Sequence, residues 1–450
     1  MFDNLSEDTN PSLTKFEQML KTNQVLFFDA LEFENIIHHY IDFAQFNLAK
    51  KAIKMGMEQH PENVELMLLK SELFLVDGSY NEAENMLNDI EKISPEHEEI
   101  FLQRANIFSK KKNHPKAIEL LKKALNVSEE PTEIWNLLGM EYLFQEDYTK
   151  AKKYFHKCVK VNALDYQSLY NLLYCYEQLG ENTEAINTLN NLLEINPYSE
   201  VAWHQLGKIY IKINKPEEAL SAFEFAIISD DCYTSAYIEK GKLLEQMGRI
   251  NEAIANYKFS LNFNDPNAFV NHRIGLCHLK LGNDNLAVRY LKESIKLEPN
   301  HEKSWMALID FLIDSKDYIR AQKYVNKALQ ANSDNTEFWK KSAFIHYQLN
   351  FYKETAVGCK TAISLGNHDI MNWTLWMDSL MLINDWKKAL EIGEEALNYH
   401  KKNSSVLYRL AGCKFRLGNK NEALFIFDQI KNNFIIPRNI NHLFPELIKV

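Results

Sequence analysis

Two kinds of apolar stripe recur along the chain, each at the spacing of one helical face. Around residue 203 the first reads Trp203, Leu206, Gly207 and Tyr210, and the second reads Ala219, Ala222, Phe223 and Ala226. Steps of three and four residues put the members of a stripe on one side of an α-helix, so each stripe predicts an amphipathic helix of about 12–15 residues. Between the stripes run turns such as LGENTEA (179–185) and MGRINEA (247–253). Glycine there can take the left-handed conformation that ends the first helix. Asp or Asn follows in several turns and can cap the second.

The stripes keep one register. An alanine recurs at Ala49, Ala83, Ala117, Ala151, Ala185, Ala219, Ala253, Ala287, Ala321, Ala389 and Ala423, at intervals of 34 except one of 68, where Thr355 takes the vacant position. Sixteen residues ahead lie Phe33, Trp135, Trp203, Tyr237, Trp305, Trp339 and Trp373. Nine ahead lie Tyr40, Phe74, Phe108, Tyr142, Tyr176 and Tyr210, and five ahead lie Gly78, Gly180, Gly248, Gly282 and Gly418. Twelve units of 34, from 30–63 and 64–97 onward at that interval to 404–437, therefore cover residues 30–437 without insertion. One such hairpin cannot bury its own stripes; stacked neighbours can, which predicts a one-dimensional array.

An early Trp, then Leu-Gly, Tyr, Ala, Phe, Ala and a closing Pro within 34 residues resembles the tetratricopeptide repeat. Unit 200–233 carries the pattern most fully, unit 132–165 follows through Trp135, Leu138, Gly139, Tyr142, Ala151 and Phe155, and units 64–97 and 336–369 carry it weakly. The resemblance implies an all-α fold, a right-handed α-solenoid of about twelve 34-residue helix-turn-helix repeats whose first helices line a concave face. It implies binding of other macromolecules and leaves the ligand open.

Residues 1–29 precede the register. Within them SLTKFEQMLK (12–21) predicts a short docking helix, with Ser12 or Thr14 as its cap and Phe16, Met19 and Leu20 as its apolar side. Residues 438–450 carry Leu443, Phe444, Leu447, Ile448 and Val450 and read as a C-terminal capping tail, with a docking or dimerisation handle as the alternative.

Composition narrows the function. A formal charge of −10 weighs against a nucleic-acid backbone as the main ligand. The acidic N-terminus does not read as a secretory signal, and no apolar run is long enough for a membrane span, so a cytoplasmic location is expected. Cys158, Cys175, Cys232, Cys277, Cys359 and Cys413 form no CxxC pair and are expected as free, buried thiols; no zinc site, other metal or cofactor is expected. Cys175, Cys277 and Cys413 share one repeat position, the mark of packing rather than of a nucleophile. His38 and His39 point about 100° apart on a helix and cannot readily chelate one ion. Phosphate-binding glycine loops, HExxH and GxSxG are absent, and the chain reads as a non-enzyme without catalytic residues. The tryptophans in register read as core, and Trp386, in INDWKKA, as a surface residue.

In the family resembled, ligands touch first-helix positions that packing does not use. Early units put Glu34, His38, Glu65, Glu72 and Glu99 there. Middle units put Asn171, Tyr174, His204, Lys208, Lys212, Lys242, His272, Arg273 and Lys280 there. Later ones put Lys340, Lys341 and Arg409, mixed with Asp310 and Asp378. The middle set predicts a peptide-binding groove for an extended, acidic peptide or a partner helix. Lys208, Lys212, Lys242 and Arg273 would clamp it and Asn171 would bond its backbone; the plainer reading is a solvated face with ordinary charges. The Lys/Asn pattern with which some relatives grip a chaperone's C-terminal carboxylate is not matched, since Tyr170, Tyr174 and Gln205 stand at its positions. An asparagine ladder is missing too, with only Asn35 and Asn171 in place. The chain therefore reads as a protein-interaction scaffold or adaptor. Its rivals are a regulatory subunit docking through its convex face or termini, and, disfavoured by charge, a nucleic-acid binder.

Overall fold

The computed structural model describes residues 11–22, 25–263 and 267–433; among them lie 25 α-helices and no strand. Contacts group the chain into two compact units, Met1–Ile209 and Tyr210–Val450. The first holds α1 (Pro11–Thr22), α2 (Ala30–Asp42), α3 (Phe46–Gln59), α4 (Val64–Val76), α5 (Tyr80–Ile93), α6 (Glu98–Lys110), α7 (His114–Val127), α8 (Thr132–Phe144), α9 (Tyr148–Val161), α10 (Tyr166–Leu179), α11 (Asn182–Ile195) and most of α12 (Glu200–Lys212). The second continues with α13 (Pro216–Ser229), α14 (Thr234–Gln246), α15 (Ile250–Phe263), α16 (Ala268–Lys280), α17 (Asp284–Leu297), α18 (Glu302–Asp314) and α19 (Tyr318–Ala331). It closes with α20 (Thr336–Gln348), α21 (Tyr352–Ser364), α22 (Ile370–Leu382), α23 (Trp386–Tyr399), α24 (Ser404–Arg416) and α25 (Lys420–Asn433).

Each even-numbered helix is the first of a hairpin and carries the first stripe. One backbone device closes every hairpin. Residues 44, 78, 112, 146, 180, 214, 248, 282, 316, 350, 384 and 418, spaced by 34, all have positive φ, between 53° and 93°. Glycine stands at five of these positions, where the missing Cβ removes the strain of the left-handed region. The next amide then reaches back to the first helix, as in Glu181 N to Tyr176 O at 2.9 Å and Asp317 N to Leu312 O at 2.9 Å. Asp147 and Asp317 then cap the second helices through the amides of Lys150 and Arg320, each at 3.1 Å.

The recurring small residue is the closest point of packing: none of the eleven register alanines exceeds 3% exposure, and Thr355 has 0%. The glycine of the first stripe lies against the ring one hairpin arm away. A Cβ on Gly139 would meet Phe155 at 2.6 Å, and one on Gly241 would meet Tyr257 at 2.6 Å. Register tryptophans Trp305 and Trp373 are buried, and the indole N–H of Trp203, Trp305 and Trp339 donates to the backbone carbonyl six residues earlier. Trp386 departs from expectation. It opens α23, is half-buried and packs on the C-terminal core with Arg416 over its ring.

The predicted N-terminal helix forms as α1, with Phe16 and Met19 buried against Phe28, Phe33 and Tyr40. Its cap differs: the helix begins at Pro11, so Ser12 lies in the first turn and its hydroxyl donates to Glu32 at 2.8 Å. The proposed capping tail, 438–450, lies outside the described residues. Five cysteines are buried as expected; Cys232 is exposed, in the turn between α13 and α14 that belongs to neither stripe. Burial pushes the Cys175 thiol up to about 11 and the Cys277 and Cys413 thiols up to about 12, which leaves them as packing groups. No described helix is long and apolar enough to cross a membrane.

Candidate functional site

First helices of successive repeats pack on one another, α2 on α4 and α4 on α6 in the first unit, and α16 on α18, α20 on α22 and α22 on α24 in the second. Their polar positions therefore meet across repeats. A fixed offset of 31 residues recurs in these meetings. In the second unit Lys341 pairs with Asp310, and Arg409 forks onto Asp378 at 2.6 and 2.7 Å, with both side chains of that pair buried. In the first unit the same offset brings Asn171 within 3.5 Å of the Met140 sulfur.

The predicted groove residues fall on both units. In the first, Asn171 is half-buried on α10, Tyr174 is exposed with its ring edge-on to Tyr148 at 6.1 Å, His204 is buried, and Lys208 is exposed on α12. In the second, Lys212 is exposed at the end of α12, and Lys242 bonds Glu239 at 2.7 Å while lying over the Phe269 ring.

Arg273 and Lys280 are brought together. Both reach the Glu245 carboxylate, at 2.6 and 2.7 Å, and the Tyr257 hydroxyl donates to it at 3.3 Å. Burial alone would raise the Glu245 carboxyl; the hydrogen bonds and charges of Lys280 and Arg273 outweigh it and hold the group below its ordinary value. His272 is buried with Nδ1 3.0 Å from the Ser304 hydroxyl. Burial, then the neighbouring His301, push its imidazole down to about 4, so it is neutral at pH 7.

Most second-unit cations in the predicted set thus already hold carboxylates of their own chain, as do Lys340 with Asp369 at 2.5 Å and Lys341 with Asp310. The residues were visible in the sequence but their pairing was not. Scanning first helices for opposite charges 31 apart would have found two of the pairs.

A second feature was missed. A cleft of about 300 Å³ opens over α4, α6 and α8 of the first unit, lined by Glu72, Glu99, Glu133, Glu141 and Gln103. Burial pushes the Glu99 carboxyl up to about 7, opposed by a hydrogen bond from Gln103 and reinforced by the charges of Glu133 and Glu72. Burial also raises Glu34 and Glu72. Among the described residues one trio, Asp230, Asp231 and Cys232, brings possible metal-ligand atoms within 4.8 Å of one another. It lies mostly exposed on a turn, and nothing further marks it as a metal centre.

Tandem 34-residue helical hairpins, closed at one left-handed residue and packed through one small residue, define a helical-repeat protein. The chain is a tetratricopeptide-repeat protein: profiles of the tetratricopeptide repeat match residues 136–200, 201–227, 234–263, 270–301 and 381–434. Repeats of this family bind proteins, and the chain is in that general sense a protein-interaction scaffold. No curated protein sequence matches it.

Similar solved structures include the MamA protein, 24% identical over 38% of this chain and 94% of that one, with a TM-score of 0.33. The Cut9–Hcn1 hetero-tetramer of the APC/C is similar over 89% of this chain and 92% of the other, at 14% identity and a TM-score of 0.33. The C-terminal part of a repeat protein from Cytophaga hutchinsonii is 13% identical over 53% of this chain and 97% of that one, with a TM-score of 0.43.

Proposed function

We propose that this chain is a non-catalytic scaffold or adaptor whose second unit holds an extended, acidic segment of a partner protein against its first helices. The observation that supports this reading is the convergence of Arg273 and Lys280 on one carboxylate position. Glu245 occupies that position with its side chain only 4% exposed, while the Lys280 side chain remains 53% exposed. An ammonium has three N–H donors and a guanidinium five, so both cations keep donors beyond those spent on Glu245. Lys242, on the adjacent first helix, adds a third cation. An acidic segment running across α14 and α16 would share the donors that Glu245 leaves. Nucleic acid is disfavoured, because cations already paired within the chain displace few counterions.

The test is fluorescence anisotropy of a labelled nine-residue Asp/Glu peptide with the full chain. The expected result is saturable, salt-sensitive binding that weakens at least tenfold in Lys242→Gln/Arg273→Gln/Lys280→Gln protein of normal helicity. Equal binding by wild type and variant overturns the acidic-segment reading.

A further inference from the structure

We propose that the first unit carries a separate recognition surface: the cleft over α4, α6 and α8 receives lysine or arginine side chains from an extended partner segment in which cations recur at every third residue. This concerns different residues from the acidic-segment reading of the second unit and stands or falls without it.

The cleft lacks a cation of its own. At the 31-residue offset the second unit sets Lys341 against Asp310 and Arg409 against Asp378. The same offset from Glu72 arrives at Gln103, and both residues line the cleft. A neutral carboxamide thus stands where the second unit supplies its own cation, and no lysine or arginine is among the lining residues.

Gln103 is only 6% exposed. Its amide nitrogen donates to the Leu68 carbonyl at 3.1 Å and to Glu99 at 3.2 Å, while its buried Oε1 has no partner. The side chain that takes the cation's place therefore leaves an acceptor unsatisfied, at a cost in free energy. Gln103 Oε1 and the ionised carboxylates of Glu72, Glu99 and Glu133 are all acceptors. A group that only donates, ammonium or guanidinium, satisfies such a set.

Histidines answer the neighbouring carboxylates in part. His114 bonds Glu141 at 2.9 Å and His97 bonds Glu65 at 3.2 Å, and the charge of His38 acts on Glu34 and Glu72. Glutamates in a helix's first turn commonly serve only to offset the helix dipole, which would lower their carboxyls. Glu99 moves the other way, because it is buried beside two like charges.

The spacing of the acids identifies the occupant. Glu65, Glu99 and Glu133 are each the second residue of their helix, 34 apart, on three successive first helices. Packed helices lie about 8–10 Å apart. A polyproline II segment advances about 3.1 Å per residue with three residues per turn, so every third side chain returns to the same side after ~9 Å. Cations at every third position of such a segment would meet Glu133 and Glu99 in the cleft and then Glu65, which lies outside the cleft lining and already bonds His97, whereas a β-strand would turn alternate ones away. Leu102 and Leu137, also on the cleft wall, suit the aliphatic stems of lysine and arginine.

The test uses the full chain and two labelled nine-residue peptides of identical composition, one Ac-RPPRPPRPP and the other with its three arginines adjacent. Wild type is expected to bind the spaced peptide saturably and at least tenfold more tightly than the clustered one. Glu99→Gln/Glu133→Gln is expected to lose at least tenfold. Gln103→Arg, which supplies the missing cation from within, is expected to lose as much while melting no lower than wild type. A Glu293→Gln/Glu298→Gln control, with the same charge change in the second unit, keeps wild-type affinity. Failure of the spaced peptide to saturate overturns the proposal. So does equal affinity for the two peptides, equal affinity for spermidine, or unchanged binding by the Glu99→Gln/Glu133→Gln and Gln103→Arg proteins.

Discussion

On α22 and α24 a carboxylate and a guanidinium meet; on α4, α6 and α8 carboxylates meet around a neutral glutamine. The backbone arrangement is the same in both places, since one 34-residue register runs through both units and one 31-residue offset pairs the facing positions. What differs is a single side chain at the second position of each pair: Arg409 or Lys341 in one unit, Gln103 in the other. Opposite charges spend their attraction on joining repeats. Like charges keep theirs for a cation from outside, and the structure carries their repulsion and burial until one arrives.

The buried pair of Arg409 and Asp378 is the most sensitive contact of the second unit. Arg409→Ala leaves Asp378 buried without its fork and should destabilise the second unit by about 3–5 kcal/mol, read as a lower urea midpoint. A loss of under about 1 kcal/mol would show that this pair does not join repeats.

Glu245→Gln should cost less, about 1–3 kcal/mol at pH 7, because Lys280 can turn to water. Its carboxyl is held below the ordinary value, so the stabilisation is present above that value and disappears as pH falls through the depressed one. The variant and wild type should converge in acid.

Glu99→Gln should act in the reverse direction. A carboxyl raised to about 7 favours the folded state while protonated, so wild-type stability falls as pH rises from the ordinary carboxylate range to about 7. Relative to wild type, the variant should gain little near pH 4 and melt about 2–4 °C higher at pH 8. A lower melting temperature at pH 8 would mean that the carboxylate is already satisfied.

The smallest effect belongs to the turns, which the two units share. Glu146→Gly in the first and Lys316→Gly in the second each relieve a left-handed non-glycine residue and should stabilise by up to about 1 kcal/mol. A gain in one unit only would show that the turns are not equivalent.

The hairpins were legible because each rests on a local rule repeated in phase. The glycine positions at 78 and 180 announced the turn, and alanine at 49 and onward announced the close contact. Where glycine is replaced, at Ala44, Lys112 and Glu146, the backbone keeps the left-handed turn because both helices of the hairpin demand it.

The charge gradient was legible as well, with Glu65, Glu72 and Glu99 early and Lys340, Lys341 and Arg409 late. Its meaning was not, since a list of first-helix residues does not say which faces which. Arg273 and Lys280 read as free clamps until Glu245, 28 and 35 residues earlier, appeared between them. Gln103 gave no signal at all; an uncharged residue matters here only because Lys341 and Arg409, at the same offset in the second unit, are cations held on acids. Trp386 and Cys232 were misjudged for a related reason, as one lies at a helix start and the other in a turn, where the stripe pattern is silent.

The most direct measurement is a carbon-13 NMR titration of the glutamate side chains, with the Glu99 resonance assigned by its loss in Glu99→Gln. A Glu99 midpoint near 7 is expected, falling when the spaced arginine peptide saturates the protein. A midpoint in the ordinary carboxylate range in the free protein would overturn the cation-accepting cleft, because Glu99 would then be a hydrated carboxylate rather than one buried beside like charges.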